Sequence, residues 1–422
     1  MIVSEVVADG VRRAGVPRVF VAESADRTLA AALRASLPTF AIRRAASAVI
    51  MAAVTARLGE APGVAVLDGD GADVTAALDE AARARLPLVV IASREPGDAV
   101  RALKTTVVAS AASAAHWIAH AAQAAMGEPS GVVWLVVPPA VASSASLPML
   151  TRPRPAIVPF DARALDEVAE RVAGAIRPLA VAGRGARAPA TAGWLRAFAE
   201  TLPAPVLVTP AARGVLPDPH PLCFGLLRGD AAILGRADLI LLLGVDDDEL
   251  AAADVRFAVP TLQLGRAPSV AVVLEELASR LRDRSRADWD VAELDRIRRA
   301  PAPLAVDASL SALVAGLREA TPAGTVAVFD RALSAATPLW QAVNPGEVIV
   351  TDGAVPAAIA AALERHEDVV LAITTRRGDD DAADAAGAGV RLSRIAASPN
   401  IGFFLAPALA GARPSVIIVT TG

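Results

Sequence analysis

The sequence predicts an α/β protein built from three doubly wound parallel-sheet domains, and three observations predict it. Short β-branched runs alternate along the chain with longer Ala/Leu/Arg segments of helical spacing, the pattern of strands joined by crossover helices. The runs from Val64 to Leu67, Leu88 to Ile91 and Val132 to Val137 are apolar nearly throughout, as strands covered on both faces must be. The chain has 422 residues, which at about 150 per domain suffices for roughly three packed units.

In order, the first block predicts a strand around Val19 to Val21, a helix from Ala45 to Leu58, the strand GVAVLDGDG and a helix through Leu78. The strand LPLVVIAS, a long Ala-rich helix near Ala111 to Met126 and the strand GVVWLVVPP complete it. The Pro-rich passage from Leu147 to Phe160 breaks both periods and reads as a linker. The second block holds the strand LAVAGRGA, the helix WLRAFAETL, the strands APVLVTP and ADLILLLG, the segment FAVPTLQLG and a helix from Leu274 to Leu281. A charged and then Pro-rich stretch, Asp283 to Pro303, reads as a second linker. The third block holds GTVAVFD, EVIVTDG, the helix PAAIAAALERH, DVVLAITT and the terminal PSVIIVTTG. The expected domains are 1–146, 161–282 and 304–422. No short tandem repeat is present, and the first and third blocks read as variants of one α/β plan.

Composition excludes several functions. Lys plus Arg is 41 against 45 Asp plus Glu, a net charge of −4, so no basic nucleic-acid footprint exists. Lys104 is the sole lysine, and tyrosine is absent. One cysteine, Cys223, permits neither a disulfide framework nor a thiolate zinc site, and it reads as a small buried apolar residue. The opening MIVSEVVADGVRRAG mixes charges into its apolar positions and does not read as a secretory signal. No apolar stretch reaches the roughly 18 residues of a membrane span, and the expected location is the cytoplasm.

Candidate chemistry is sparse. Gly-Asp-Gly at Gly69 to Gly71 reads as a strand-to-helix turn capped by Asp73, with Asp68 and Asp70 as polar groups at a cleft. Asp246, Asp247, Asp248 and Glu249 follow an apolar strand and read as the first turn of a helix. His116 and His120 share a helix face, but without HExxH or a third ligand they read as surface histidines. No Ser, His and Asp grouping stands out.

The order of the pieces resembles the thiamine diphosphate-dependent enzymes of the acetolactate synthase and benzoylformate decarboxylase type. The resemblance runs through GVPRVFVAE, TARLGEAPGVAVLDGDG and GEPSGVVWLVVPPAV. It continues through PLAVAGRGARA, APVLVTPAARGVLPDPHPLCFG, ADLILLLGVDDDEL, TVAVFD, GAVPAAIAAAL and PSVIIVTT, nearly the whole chain. It implies a pyrimidine-binding-like domain, a central nucleotide-fold domain and a truncated diphosphate-binding-like domain, with His220 in a structural turn. It also implies an oligomer, of identical chains or with a related subunit, because the family's active site lies between two chains.

Two departures from the family pattern stand out. The family holds the cofactor's aminopyrimidine with a glutamate; laying TARLG over the family's YARLTG phrase puts Ala45 at that position, and no acidic residue lies between Asp26 and Glu60. The family binds Mg²⁺ and the diphosphate through Gly-Asp-Gly and a later asparagine, oxygen ligands suited to that hard cation. Here the corresponding stretch is AITTRRGDDDAADAAGAG, where Gly378 and Asp379 remain and Asp380 replaces the second glycine. Asn400 follows Asp379 by 21 residues. Either Asp379, Asp380 and Asn400 form a shortened metal site, or the segment that supplies the asparagine is deleted; the short third block favours deletion. If the cofactor site is retained, the resemblance assigns Gly353, Pro356, Gly378 and Asp379 to it. Gly183 and Gly185, in GRGARA, fall where some members contact the ADP part of FAD.

The expectation is a degenerate relative with impaired or lost thiamine diphosphate chemistry. It would act as a partner subunit or bind a small anion near Arg43, Arg44, Arg376 and Arg377. The competing expectation is an active lyase or carboligase on 2-oxo acids with thiamine diphosphate and Mg²⁺. A third is binding of FAD or an adenine nucleotide by the central domain.

Overall fold

The computed structural model describes residues 1–148, 163–265, 269–300, 306–375, 381–398, 401–411 and 414–421. The first block runs α1 (Val3–Arg13), β1 (Val19–Ala22), α2 (Arg27–Ser36), β2 (Thr39–Ile42), α3 (Ala45–Leu58), β3 (Gly63–Leu67) and α4 (Ala72–Arg83). It continues with β4 (Leu88–Ala92), β5 (Lys104–Val107), α5 (Ala114–Met126), β6 (Val132–Val136) and α6 (Pro139–Ala142). Its strands form one parallel sheet in the order β2-β1-β3-β4-β6-β5. Every residue of β3, β4 and β6 is buried, which is why these runs carry no polar alternation.

The central block runs α7 (Ala164–Gly174), β7 (Pro178–Ala182), α8 (Pro189–Thr201), β8 (Val206–Val208), β9 (Cys223–Leu226), β10 (Leu239–Leu243) and α9 (Asp247–Ala252). It ends with β11 (Thr261–Gln263), α10 (Val270–Leu281), α11 (Val291–Arg299) and α12 (Ala308–Ala320). Its parallel sheet has the order β11-β10-β7-β8-β9. The third block runs β12 (Val326–Asp330), β13 (Val348–Thr351), α13 (Ala354–Glu364), β14 (Val370–Thr374), α14 (Asp381–Gly387), β15 (Arg391–Ala396), α15 (Ile401–Leu409) and β16 (Ser415–Thr420). Its order is β13-β12-β14-β16-β15.

Three parallel-sheet α/β domains are therefore present, but they form two compact units. One comprises Met1–Ala156, Thr325–Ser334 and Ile349–Gly422; the other comprises Ile157–Gly324 and Ala335–Val348. The first and third sheets share a unit because α3 and α13 pack on each other within one hydrophobic cluster. Both helices are apolar nearly all round, and Ala354 through Ala362 of α13 are all buried, as a helix without a polar face must be. The alanines let backbones approach closely, and Gly63 shows how closely: a Cβ there would lie 1.9 Å from the Ala52 carbonyl oxygen.

Four sequence expectations are corrected. The linker expected over Asp283 to Pro303 contains α11, whose charges hide an apolar side: Trp289 is buried, with Leu294 and Ile297 packed on the same cluster. Asp290 caps α11 by accepting from the Ala292 and Glu293 amides. The segment 335–348, expected in the third domain, is fastened within the central unit. There Arg213 donates to the carbonyls of Thr337 and Trp340 and pairs with Asp218 at 2.7 Å, and Asp218 accepts from the Ala342 amide at 2.8 Å. The segment from residue 381 onward holds helix, strand, helix and strand, where the sequence names only the terminal strand; β15 is a polar edge strand with weak apolar signature. Finally Gly71, not Asp73, is the N-cap of α4, with Asp73 inside the first turn.

Candidate functional site

In open parallel sheets, ligands sit outside the carboxyl ends of the strands where the strand order reverses. In the third sheet that point lies between β12 and β14, and Asp330, the last residue of β12, occupies it. Asp330 is 4% exposed. Its carboxylate accepts from the Ala354 amide at 3.3 Å and the Thr375 amide at 3.1 Å, and from the Thr374 hydroxyl. Ala354 opens α13, so the carboxylate takes the helix N-terminal position that favours an anion.

The neighbouring expected contacts are also filled from within the chain. A Cβ on Gly353 would lie 2.7 Å from Cδ1 of Ile50 on α3 and 3.2 Å from Cγ of Pro356, so the openness of this glycine is taken by protein side chains. Pro356 is buried in the first turn of α13. Beside them, Arg331 spans Glu80 at 3.0 Å and Asp352 at 3.1 Å. Arg376, Arg377, Gly378, Asp379, Asp380 and Asn400 lie outside the described residues.

At the head of the first sheet, Ala45 is the first residue of α3, and that helix has no acidic residue in its first turn. Arg43 and Arg44 are exposed; the Arg44 guanidinium reaches the Ser47 hydroxyl at 3.3 Å. A carboxylate does arrive here from far along the chain, and sequence reasoning missed it. Asp384 of α14 accepts from the Arg43 amide at 3.1 Å. Burial pushes the Asp384 carboxyl above the usual carboxylate range against the pull of Arg43, with Glu23 adding to the rise.

Asp68 and Asp70 are engaged in a turn. Asp68 accepts from the Ser93 hydroxyl at 2.8 Å and pairs with Arg94 at 2.8 Å, while Asp70 accepts from the Gly97 amide at 3.0 Å.

In the central unit, Gly183 follows β7 at its sheet's reversal point. A Cβ there would lie 2.5 Å from the Gly244 carbonyl oxygen and 2.7 Å from Oε2 of Glu249. The Gly185 amide donates to that same Gly244 carbonyl at 2.9 Å. The Glu249 carboxylate accepts from the Arg184 amide at 3.1 Å and the Thr209 hydroxyl at 2.5 Å. The position that the resemblance gives to a flavin's ADP part is thus lined by the chain's own carboxylate. Asp246 and Glu249 form a capping box at the start of α9, the helix start expected of the acidic run, and Asp248 pairs with Arg184 at 2.6 Å.

The His116 and His120 rings stack at 6.1 Å on α5, and His120 lies 2.5 Å from the Lys104 amine. Burial, with the charges of Lys104 and His116, holds the His120 pKa down. No group of three or more His, Cys, Asp or Glu side chains suited to a metal ion exists among the described residues. His220 faces Glu200 at 3.2 Å within a turn, and burial pushes the Cys223 thiol up to about 11. No helix among the described residues is long and apolar enough to cross a membrane.

The described residues do not fit a thiamine diphosphate. At the reversal point of the third sheet, the Ala354 and Thr375 amides that could serve an anion are already taken by the Asp330 carboxylate. At the other end, Ala45 offers no carboxyl.

The comparisons with known proteins are consistent with this architecture. Residues 165–268 match the family of the central domain of thiamine pyrophosphate enzymes, named for the same cofactor. The large subunit of acetolactate synthase isozyme 1 from Escherichia coli (strain K12) is 30% identical over 207 residues, 42% of this chain and 36% of that protein. The matched stretch is thus well under half of that relative's length. Among solved structures, a thiamine diphosphate-dependent 4-hydroxybenzoylformate decarboxylase of Rhodococcus jostii RHA1 superposes with a TM-score of 0.76 at 19% identity, covering 100% of this chain and 99% of the other. A putative thiamin diphosphate-dependent enzyme of Mycobacterium smegmatis gives 0.72 at 21% identity, again covering 100% and 99%. These two likenesses establish the fold. Residues 165–268 thus match the central domain of thiamine pyrophosphate enzymes, and the chain as a whole shares the fold of the two solved structures.

Proposed function

We propose that this chain is a member of the thiamine pyrophosphate enzyme family that has given up thiamine diphosphate catalysis and serves as a non-catalytic subunit, paired with a copy of itself or with a related chain. The observation that carries the reading is Asp330, whose buried carboxylate already accepts from the Ala354 and Thr375 amides at the head of the third sheet. Ala45 adds to it from the other side of the cofactor position. A subsidiary part of the proposal is that Arg43 and Arg44, exposed at the start of α3, take up a small anion.

Calorimetric titration of the full chain with thiamine diphosphate and Mg²⁺ tests this. The expected result is no saturable heat into the millimolar range. A micromolar affinity would overturn the reading in favour of an active decarboxylase or carboligase on 2-oxo acids with Asp379, Asp380 and Asn400 at the metal. Light scattering on the same sample checks the assembly: a chain that stays monomeric alone and with related subunits defeats the subunit role.

A further inference from the structure

Two carboxylates occupy matching places in the first and third blocks. At the end of α4, the Ala84 amide donates to the Glu80 carbonyl at 3.0 Å and the Leu86 amide to the Ala81 carbonyl at 3.0 Å, with Arg85 between them in the left-handed region at φ 48°. At the end of α14, the Ala388 amide donates to the Asp384 carbonyl at 3.0 Å and the Val390 amide to the Ala385 carbonyl at 2.8 Å, with Gly389 at φ 70°. The two helix ends share one hydrogen-bond pattern, and it sets Glu80 against Asp384.

Each carboxylate reaches the other block's sheet at the same point. Glu80 accepts from the Asp352 amide at 3.2 Å and the Thr351 hydroxyl at 3.3 Å, at the end of β13. Asp384 accepts from the Arg43 amide at 3.1 Å, at the end of β2. The strands β2 and β13 are matching edge strands. Arg43 and Asp352 each sit one residue before the N-cap of the packed helices, Arg44 for α3 and Gly353 for α13.

We infer that Glu80 and Asp384 are reciprocal latches, by which the first and third sheets close the heads of α3 and α13 from within one chain. The latches differ in chemistry. Glu80 is also paired with Arg331 at 3.0 Å, so its hold is charge-assisted. Asp384 is 4% exposed and holds its amide as a buried acceptor. This inference does not depend on the proposed function, since it concerns how two sheets are joined and not what they bind.

Amide hydrogen exchange on the full chain tests it, alongside scanning calorimetry. Asp384→Ala is expected to speed exchange at the Arg43 amide at least about tenfold and leave the Asp352 amide alone; Glu80→Ala is expected to do the reverse. Each substitution is expected to lower the melting of the unit holding the first and third sheets by about 3–8 °C without moving the central unit. Asp384→Asn keeps an acceptor oxygen, so it folds like the wild type and leaves the Arg43 amide protected. Unchanged exchange at both amides in the alanine variants, or loss of protection at Arg43 in Asp384→Asn, would overturn the latch.

Discussion

The first and third sheets share a plan and differ by one strand. The first has the order β2-β1-β3-β4-β6-β5, and the third has β13-β12-β14-β16-β15. Remove β4 from the first and the two orders coincide. In the first sheet β4 stands between β3 and β6, and its end supplies Ser93 and Arg94, which hold Asp68 at the head of β3. In the third sheet β14 pairs directly with β16, and the Thr421 amide just past β16 donates to the Thr374 carbonyl at 2.9 Å. Asp330 adds to this from the other side, accepting from the Thr374 hydroxyl and the Thr375 amide. The same sheet plan is thus closed at its head in two ways, by side chains from an added strand in the first sheet and by a buried carboxylate at the reversal point in the third.

The largest expected effect is at the head of the third sheet. Asp330→Ala orphans the buried Ala354 amide and Thr374 hydroxyl and frees the part-buried Thr375 amide, and should cost about 3 kcal/mol in a denaturant titration. The residue after β1 is Glu23, exposed, and Glu23→Ala should fall within about 0.5 kcal/mol of the wild type. Equal costs would mean that the two heads are not differently built after all. A smaller effect is expected at Gly353. Gly353→Ala places a methyl 2.7 Å from Ile50 Cδ1, which should cost about 1 kcal/mol, since only the far end of a side chain must move. Adding Ile50→Val should recover part of that loss in a double-mutant cycle. No coupling between the two substitutions would show that Ile50 does not fill the glycine's space.

What the sequence made legible follows from burial. The strands β3, β4, β6, β7, β10, β12 and β14 are buried at every residue, and each announces itself as an apolar run. The edge strands β5 and β15 carry Lys104, Arg391 and Arg394 and escape notice, because an edge needs polar residues to stay unpaired. The helix α11 hides for a related reason: its Arg and Asp residues face water and outnumber the apolar side that Leu294 and Ile297 provide. In the site, Ala45 is visible as a departure because a local phrase fixes its position. Asp330 and Asp384 are not, since what matters is the amides they meet, and for Asp384 that amide lies 341 residues away. At Gly183 the close approach that the glycine signals is made by Gly244, Val245 and Glu249 of the chain itself.

The smallest expected effect concerns charge, and it sharpens the comparison at the far end of α13. Glu364 meets Arg18 at 2.5 Å across the two blocks. Burial nevertheless raises the Glu364 pKa above its ordinary 4.5, because desolvation outweighs the attraction of Arg18. A carboxyl raised on folding binds its proton more tightly in the native state, so its stabilising contribution is complete below the ordinary value and is lost as pH climbs through the raised one. Asp9, on α1, has the opposite sign. Burial opposes its ionisation, but the hydrogen bonds and charges of Arg13 and Arg12 prevail and lower it, so its contribution is present at neutral pH and lost in acid. Comparing wild type with Glu364→Gln over a pH series isolates the first group. The wild type should lose stability relative to the variant as pH rises from about 4 to neutral, the interval above the free carboxyl's range. A gap that moves the other way would mean that Arg18 outruns burial, and the contact between the blocks would then be an ion pair in the ordinary stabilising sense.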